Sequence, residues 1–578
     1  MKWYGWGAEG QGFDPAGRPG LWPYASRHLG IGEDQTPTRP VDAASIVLPG
    51  QRPNPAFARE IAAALGPGLW SEAPTDRLVH AYGKSTRDLW RARHGHIASA
   101  PDYVLFPETE EQIVAILRAA DRCGVVVIPF GGGSNVAGCL EAHVRDGRSV
   151  ASVNLRRCNR VLAVDKVSGT ARVQPGILGP DLEAALAAEG LTLGHFPDSF
   201  PYSTLGGWIA TRSSGMLSDG YGNVEDMVLS LRMATPSGFV VTRDAPHASS
   251  GPDPKRLCIG SEGTLGIITE VTVCVRPAPA RREFRGYLFP DFASGLEALR
   301  DGRREGVSPV LSRLNDPGKT QLSAAFQRRP GPLKAAVARG FKWWLRRVRG
   351  LDLDRACLLI AAYEGEPRVL AASRRAAEAV WRRHGAVALG RGPGESFAEG
   401  KFDFPYIRDF LMDYDVLVDV AETSTVWSGI PALYEDGMRT FREALGADGR
   451  RAWVGCHVSH SYAAGASVYF SLAMSCRRGP DGRVDPWAEL ERFIAAKHAG
   501  LDRFAAHGAT LSHHHAVGYE HLPWLAGECP VGPGTLVDAV KAALDPNGVM
   551  NPGKLTGRPW SRAQVAGRDP APPPLAAE

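Results

Sequence analysis

From Pro101 to Pro129 the apolar positions change their spacing twice. Tyr103–Phe106 is a short apolar run; Ile113, Ile116, Leu117 and Ala120 repeat at helical spacing; Val125–Pro129 is again unbroken and apolar. This pattern predicts a strand, a helix over Glu110–Cys123 and a buried strand. Glu108, Glu110 and Glu111 stand around the helix's first turn, where the macrodipole favours acids. The result is a βαβ unit that runs straight into a glycine loop. Strands follow at Val153, Val161–Val164 and Ala171–Val173, then a helix at Asp181–Ala188, and the chain stays strand-rich and dense in glycine to about Pro277. From about Ala278 it turns Arg/Ala-rich and reads as helical, with strands at Cys357–Tyr363 and Ser467–Ala473. Residues 1–98 mix Gly/Pro-rich turns with short helical patterns such as Pro55–Leu65, and KAALDPNGVMNPGKL reads as a helix stopped by a Pro/Asn turn.

At 578 residues the chain exceeds what one hydrophobic core serves. The expected division is an N-terminal segment (1–98), a cofactor domain (99–278), a cap or substrate domain (279–510), a returning C-terminal segment (511–557) and a disordered tail (558–578). The apolar and charged fractions, 44% and 22%, are those of an ordinary globular protein, and a net charge of +4 does not suggest a nucleic-acid binder. Nine cysteines without CxxC pairing favour free thiols in a reducing compartment over a zinc site or disulfides. No run of 18 apolar residues occurs, the N-terminus has no apolar signal region and the tail carries no sorting tripeptide, so a cytosolic protein is expected.

The glycine loop comprises Pro129, Phe130, Gly131, Gly132, Gly133, Ser134 and Asn135. Its glycines permit positive φ and let backbone N–H groups approach an anion, with Ser134 and Asn135 as added donors. It is neither the GxGxxG of a Rossmann site nor a P-loop. Three later clusters share its character. They are Asp198, Ser199, Ser203 and Thr204; then Thr211, Arg212, Ser213 and Ser214; then Glu262, Gly263, Thr264, Leu265, Gly266, Ile267 and Ile268. Several such loops in one domain suit a long cofactor with a ring system, a ribityl chain and two phosphates.

PExxEQI through PxGGGSN, then PDS, GGWIAT, SEGTLGI and the terminal DPNGVMNPGKL resemble the vanillyl-alcohol-oxidase-type flavoproteins. The resemblance implies an α+β protein: a PCMH-type, two-subdomain domain binding FAD at these loops, plus an α+β cap domain. Members with covalent FAD place a histidine in the first glycine loop; Ser134 stands there, which implies noncovalent FAD. Within that superfamily, KWYGWG, PDSFPYSTLGGWIATRSSGMLSDGYGNVEDMV, and SHSYAAGASVYFSLA followed by LSHHHAVG resemble the alkyldihydroxyacetonephosphate (alkylglycerone-phosphate) synthases. That likeness implies exchange of the acyl group of acyl-dihydroxyacetone phosphate for a fatty alcohol in ether lipid synthesis, with oxidised flavin N5 as electrophile and no net redox. A 2-hydroxy-acid or alcohol dehydrogenase or oxidase on the same FAD domain is the alternative.

Tyr469 matches the family's active-site tyrosine, a phenol that would carry protons if its pKa near 10 were depressed. Arg408 matches the phosphate-binding arginine and Arg313 another active-site arginine, each offering a planar fork to phosphate. His513, His514 and His515 can shuttle protons and donate to phosphate, while three consecutive side chains cannot readily chelate one metal. After HHHAVG the family offers basic residues; Tyr519, Glu520 and His521 stand there instead, which puts a phosphate head group in question. Finally, 334–349 combines Lys334, Arg339, Lys342, Arg346, Arg347 and Arg349 with Phe341, Trp343, Trp344 and Leu345. A helix there would either lie on an anionic bilayer or pack its tryptophans inward. Lipid substrates are the expected partners, with a homodimer left open.

Overall fold

In the computed structural model the described residues are 1–556, apart from 143, 145, 308, 329, 330, 481 and 531, together with 562; the side chains of 333–335 are also outside the description. The expected disordered tail therefore lies outside the described residues except at Arg562, and so does the side chain of Lys334.

The βαβ pattern folds with one rearrangement. The helix Glu110–Cys123 links Tyr103–Leu105 to Val126–Phe130, but Val150–Asn154 lies between those strands and pairs parallel to both. The helix is capped by Thr109, whose hydroxyl accepts from the Gln112 N–H, and it ends on Gly124 in the left-handed region. Its apolar face packs on Phe57, Ile61 and Leu65 of the helix Pro55–Leu65. The C-terminal DPNGVMNP turn closes this core: Val127 donates to Val549, Asn551 donates to Val127, and Val549 and Met550 are fully buried. A second, antiparallel sheet orders Val161–Asp165, Thr170–Val173, Ile267–Cys274, Val228–Thr235 and Gly238–Val241.

The Arg/Ala-rich region is less helical than its composition suggests. It builds a seven-stranded antiparallel sheet in the order Val387–Gly390, Arg281–Phe289, Cys357–Gly365, Leu311–Asn315, Ala452–Ser461, Gly465–Ser475, Val416–Val426. Only two of these strands were expected. Strands such as RREFRGYLF alternate poorly, because both faces are covered: Tyr287 and Phe289 pack under the helices, while Leu288 packs on Leu345 and Gly286 lies against Pro393. The buried face (Leu359, Ala361, Cys456, Val458, Val468, Phe470, Leu472) packs on the helices Phe292–Arg304, Pro367–Arg383, Ile430–Leu445 and Pro486–Ala506. The opposite face looks toward the glycine loops.

The N-terminal segment forms a small cluster of its own, Leu78, Ala81, Tyr82, Ala92 and Ile97, and also docks on the rest of the chain. Leu29 and Ile31 pack on Val416 and Ala473 of the large sheet, and the helix Thr86–Arg93 is buried along its length, its Arg87 and Arg91 paired with Glu141.

Candidate functional site

The glycine loop leaves the C-terminal end of Val126–Phe130, and its glycines are required by close neighbours and by a positive φ. A Cβ on Gly132 would land on the Tyr202 carbonyl oxygen, one on Gly131 would meet Thr204 Oγ1, and Gly133 has φ +71°. Gly263, at φ +72°, brings the third cluster within 2.9 Å of Pro129, measured from where a Cβ would stand. The loops are thus stacked edge to edge, and their free edges border one cavity of about 750 Å3, within the roughly 300–1,000 Å3 of cofactor and ligand sites. All seven residues from Pro129 to Asn135 line it, with Asp198, Ser199, Ser203, Thr204, Thr211, Ser213, Ser214, Glu262, Gly263, Gly266, Ile267 and Ile268. This edge of glycine backbone and hydroxyls fits FAD.

Three expected cofactor residues do not line the cavity. Arg212 turns away to pair with Glu225 at 3.1 Å, Leu265 is buried in the core of the second sheet, and the Thr264 hydroxyl donates to the Ser261 carbonyl at 2.7 Å. Gly132→Ala is expected to force the first two loops apart. Overpacking of about 1–3 kcal/mol corresponds to a ~10–100-fold loss of FAD affinity, read as flavin retained per chain after gel filtration.

Across the cavity, side chains form a row over four strands. Asn315 pairs with His457, His457 with Tyr469, and Tyr469 with Glu422. A register shift between Val458 and His460 inserts one residue, so that His460, opposite Ser467, joins Ser459 and His457 on the cavity side. Tyr469 stacks near His514 (centroids 6.0 Å apart), His515 (5.7 Å) and His457 (4.6 Å).

Two buried carboxylates grip the histidine loop. Glu422 accepts from the backbone N–H groups of His513 (2.7 Å), His514 (2.9 Å) and His515 (3.0 Å) and from the Ser512 hydroxyl (2.7 Å). Glu262 accepts from Val517 (2.7 Å) and Gly518 (2.9 Å), tying the loop's far end to the third cofactor loop. Both places carry backbone strain: Glu262 has φ +52° and Ala516 φ +76°. Burial opposes the Glu422 charge, yet His514 foremost, with the other imidazoles and the N–H groups, holds its carboxyl well below the ordinary range.

Burial lowers His513 and His514 to about 4 and lowers His515 in the same direction, so the loop presents neutral imidazoles at neutral pH. His514 and His515 line the cavity; His513 does not, and its Nε2 meets the Tyr462 hydroxyl at 2.5 Å. If the loop's basicity matters to turnover, the acid limb of kcat/KM is expected below pH 5. A limb at 6.5, the ordinary imidazole value, would contradict it.

Tyr469 departs from expectation. Burial pushes its phenol well above 10, and the charges of Asp198 and Glu422 add to this. It therefore stays neutral and can donate a hydrogen bond, with no depression toward phenolate.

Both arginines line the cavity, in different states. Arg408 is largely committed: Nε (3.3 Å) and one Nη (3.2 Å) reach Asp409, and the other Nη donates to the Lys84 carbonyl at 2.6 Å. Three of its five N–H donors are used, leaving two. The KWYGWG motif holds this arrangement, since Trp6 N–H donates to Asp409 and a Cβ on Gly5 or Gly7 would strike Asp409 or Tyr406. Arg313 lies over Phe404 (5.1 Å) and Phe397 (5.7 Å), and its pKa is lowered by burial.

Beside Arg313 stands Lys319, which sequence reasoning missed. It is 7% exposed, 2.9 Å from His457 Nδ1, and brought down to about 7 by burial and by Arg313. Glu422, His457 and His460 were missed too, because strand register alone carries them to the site. Tyr519, Glu520 and His521, where the sequence departs from the family, are turned away from the cavity. Lys554 donates to the Tyr519 hydroxyl at 2.8 Å, Glu520 pairs with Lys497, and His521 Nδ1 meets the Ala516 carbonyl at 2.8 Å. None of the three lines the cavity.

Residues 101–243 match the FAD binding domain family, and 278–555 match the C-terminal domain of FAD linked oxidases. The chain is similar to the alkyldihydroxyacetonephosphate synthase of Dictyostelium discoideum, 38% identical over 522 residues, 90% of this chain and 84% of that one. It is also similar to that of Trypanosoma brucei brucei, 37% identical over 490 residues, 85% of this chain and 78% of that one. A solved alkyldihydroxyacetonephosphate synthase superposes with a TM-score of 0.82 at 34% identity, covering 96% of this chain and 98% of that one.

Proposed function

The chain belongs to the alkyldihydroxyacetonephosphate synthase family, and on that premise we propose that it replaces the acyl group of acyl-dihydroxyacetone phosphate with a fatty alcohol, using FAD. The carrying observation is the lining of the cavity. Besides the glycine loops and the Tyr469–histidine cluster, it is bordered by the apolar side chains of Phe13, Leu21, Leu29, Phe326, Leu411 and Trp453. Such a wall suits an alkyl chain and has no use for a small hydroxy acid.

FAD, when bound, supplies an electrophilic ring without net oxidation. The chain's residues do the rest. Arg313, Lys319 and the two remaining donors of Arg408 offer cationic partners for the phosphate. Tyr469 donates a proton or hydrogen bond at the reacting carbon's oxygen. The fatty acid leaves as carboxylate, the alcohol oxygen bonds to the same carbon, and its proton passes to a neutral imidazole of His514 or His515. With Ser134 in place of a histidine, FAD is held noncovalently and is expected to be released by acid. The reading is tested by exchange of labelled fatty alcohol into palmitoyl-dihydroxyacetone phosphate; absence of label would defeat it. Bleaching of the oxidised flavin by 2-hydroxy acids under anaerobic conditions would favour the dehydrogenase instead.

A peripheral contact with anionic membrane through 334–349 belongs to the same reading. Among the described residues no helix is long and apolar enough to cross a membrane. The segment lies in the helix Pro332–Arg347 up to its last two residues, anchored by buried Leu345, with Val337 (65% exposed), Trp343 (62%) and Phe341 (37%) outward among the basic residues. Deleting 334–349 is expected to lower co-sedimentation with anionic liposomes; unchanged co-sedimentation would sink the idea.

A further inference from the structure

The three consecutive histidines cannot share a metal among themselves, but the strand bulge adds a fourth imidazole from elsewhere. His460 is 6% exposed, and its ring lies 5.3 Å from that of His513, nearly parallel, and 5.8 Å from that of His514, nearly perpendicular. One ring nitrogen from each of His460, His513 and His514 falls within a single 4.8 Å cluster. We infer that His460, His513 and His514 form a site for a borderline divalent cation, zinc above all, and that its occupation takes the histidine loop out of catalysis.

Zinc binds imidazole nitrogen at about 2.0–2.1 Å, so tetrahedral ligand nitrogens stand about 3.4 Å apart. The cluster needs a contraction of the order of an ångström, which rotation of the rings supplies. Two further observations point to a ligand. His460 Nδ1 is buried with no hydrogen-bond partner. The outer side of the site is already built as metal sites require, with partners that orient the ligands: the Tyr462 hydroxyl stands 2.5 Å from His513 Nε2, leaving Nδ1 for the metal, and Glu422 lies 3.4 Å from His514 Nδ1. The Glu422 charge also offsets that of a cation.

Binding would replace the present contact between His513 Nδ1 and His514 Nδ1, 2.9 Å apart. His460 and His514 face the cavity, which provides entry and a water as fourth ligand. Magnesium, which takes octahedral oxygen ligands, does not suit three imidazoles.

The experiment uses the FAD-loaded enzyme, stripped with EDTA, equilibrated with micromolar zinc chloride and gel-filtered, with zinc per chain measured by atomic emission. About one zinc per chain is expected to be retained, with at least a tenfold loss of affinity in His460→Gln and in His513→Gln, each checked to hold FAD as the parent does. Alkyl exchange in the parent is expected to fall in proportion to zinc retained and to return with EDTA, while magnesium has no effect. No retained zinc would overturn the inference. So would retention undiminished in both variants, which would place the metal at other histidines or thiols, or full activity at one zinc per chain.

Discussion

Tyr469→Phe is expected to lower alkyl exchange by ~10²–10⁴-fold, the span of a lost general acid or base, while FAD content stays at the parent level. The removed hydroxyl is the only change, since the ring's neighbours His457, His514 and His515 still find an aromatic face. The phenol is held neutral by burial and by the Asp198 and Glu422 charges, so it reaches the reacting centre with its O–H intact as a hydrogen-bond donor. Rapid-quench assays at saturating substrate read the effect. Less than a threefold fall would place the tyrosine in the wall and outside the chemistry.

Glu422→Gln is expected to cost ~100-fold in kcat, the order associated with a misplacement of about 1 Å in a catalytic group. One carboxylate receives three consecutive backbone N–H groups and a hydroxyl. An amide presents an NH2 group to some of those donors, which leaves buried N–H groups unpaired at a cost of about 1–3 kcal/mol. The loop should loosen at its first half, while Glu262 keeps the second half tied to the FAD domain. Hydrogen exchange would show this as faster exchange confined to 512–515. Unchanged protection and unchanged kcat together would dismiss the role. The sign of the pH effect follows from the same site. Imidazoles with lowered pKa resist protonation in the folded state while the unfolded chain takes it up near 6.5. Their contribution to stability is therefore present above about 6.5 and is lost as pH falls toward the folded value of about 4.

How far the sequence could be read varied with how local the cause was. The helices Pro55–Leu65 and Glu110–Cys123 were legible because the apolar period and the flanking caps are local, with first-turn acids added in the second. Most of the seven-stranded sheet was not, because its strands are covered on both faces, by helices on one side and by the cavity or further packed segments on the other, which erases the simple alternation. Arg212, Thr264 and Leu265 sit within correctly recognised loops yet turn from the cavity, and loop composition cannot show which way a side chain faces.

By itself the sequence determined the cofactor class and the family. Glycines and hydroxyls at fixed places around strand ends are local features, and KWYGWG and HHH are contiguous motifs. Only the tertiary structure decided the site's chemistry. Strand pairing set Glu422 and His457 on either side of Tyr469, a one-residue bulge moved His460 to their face, and Lys319 came in from a helix. Burial then raised the phenol and lowered the imidazoles and the lysine. Those shifts come from residues far apart in the chain that exclude water from one another, and no window of sequence contains them.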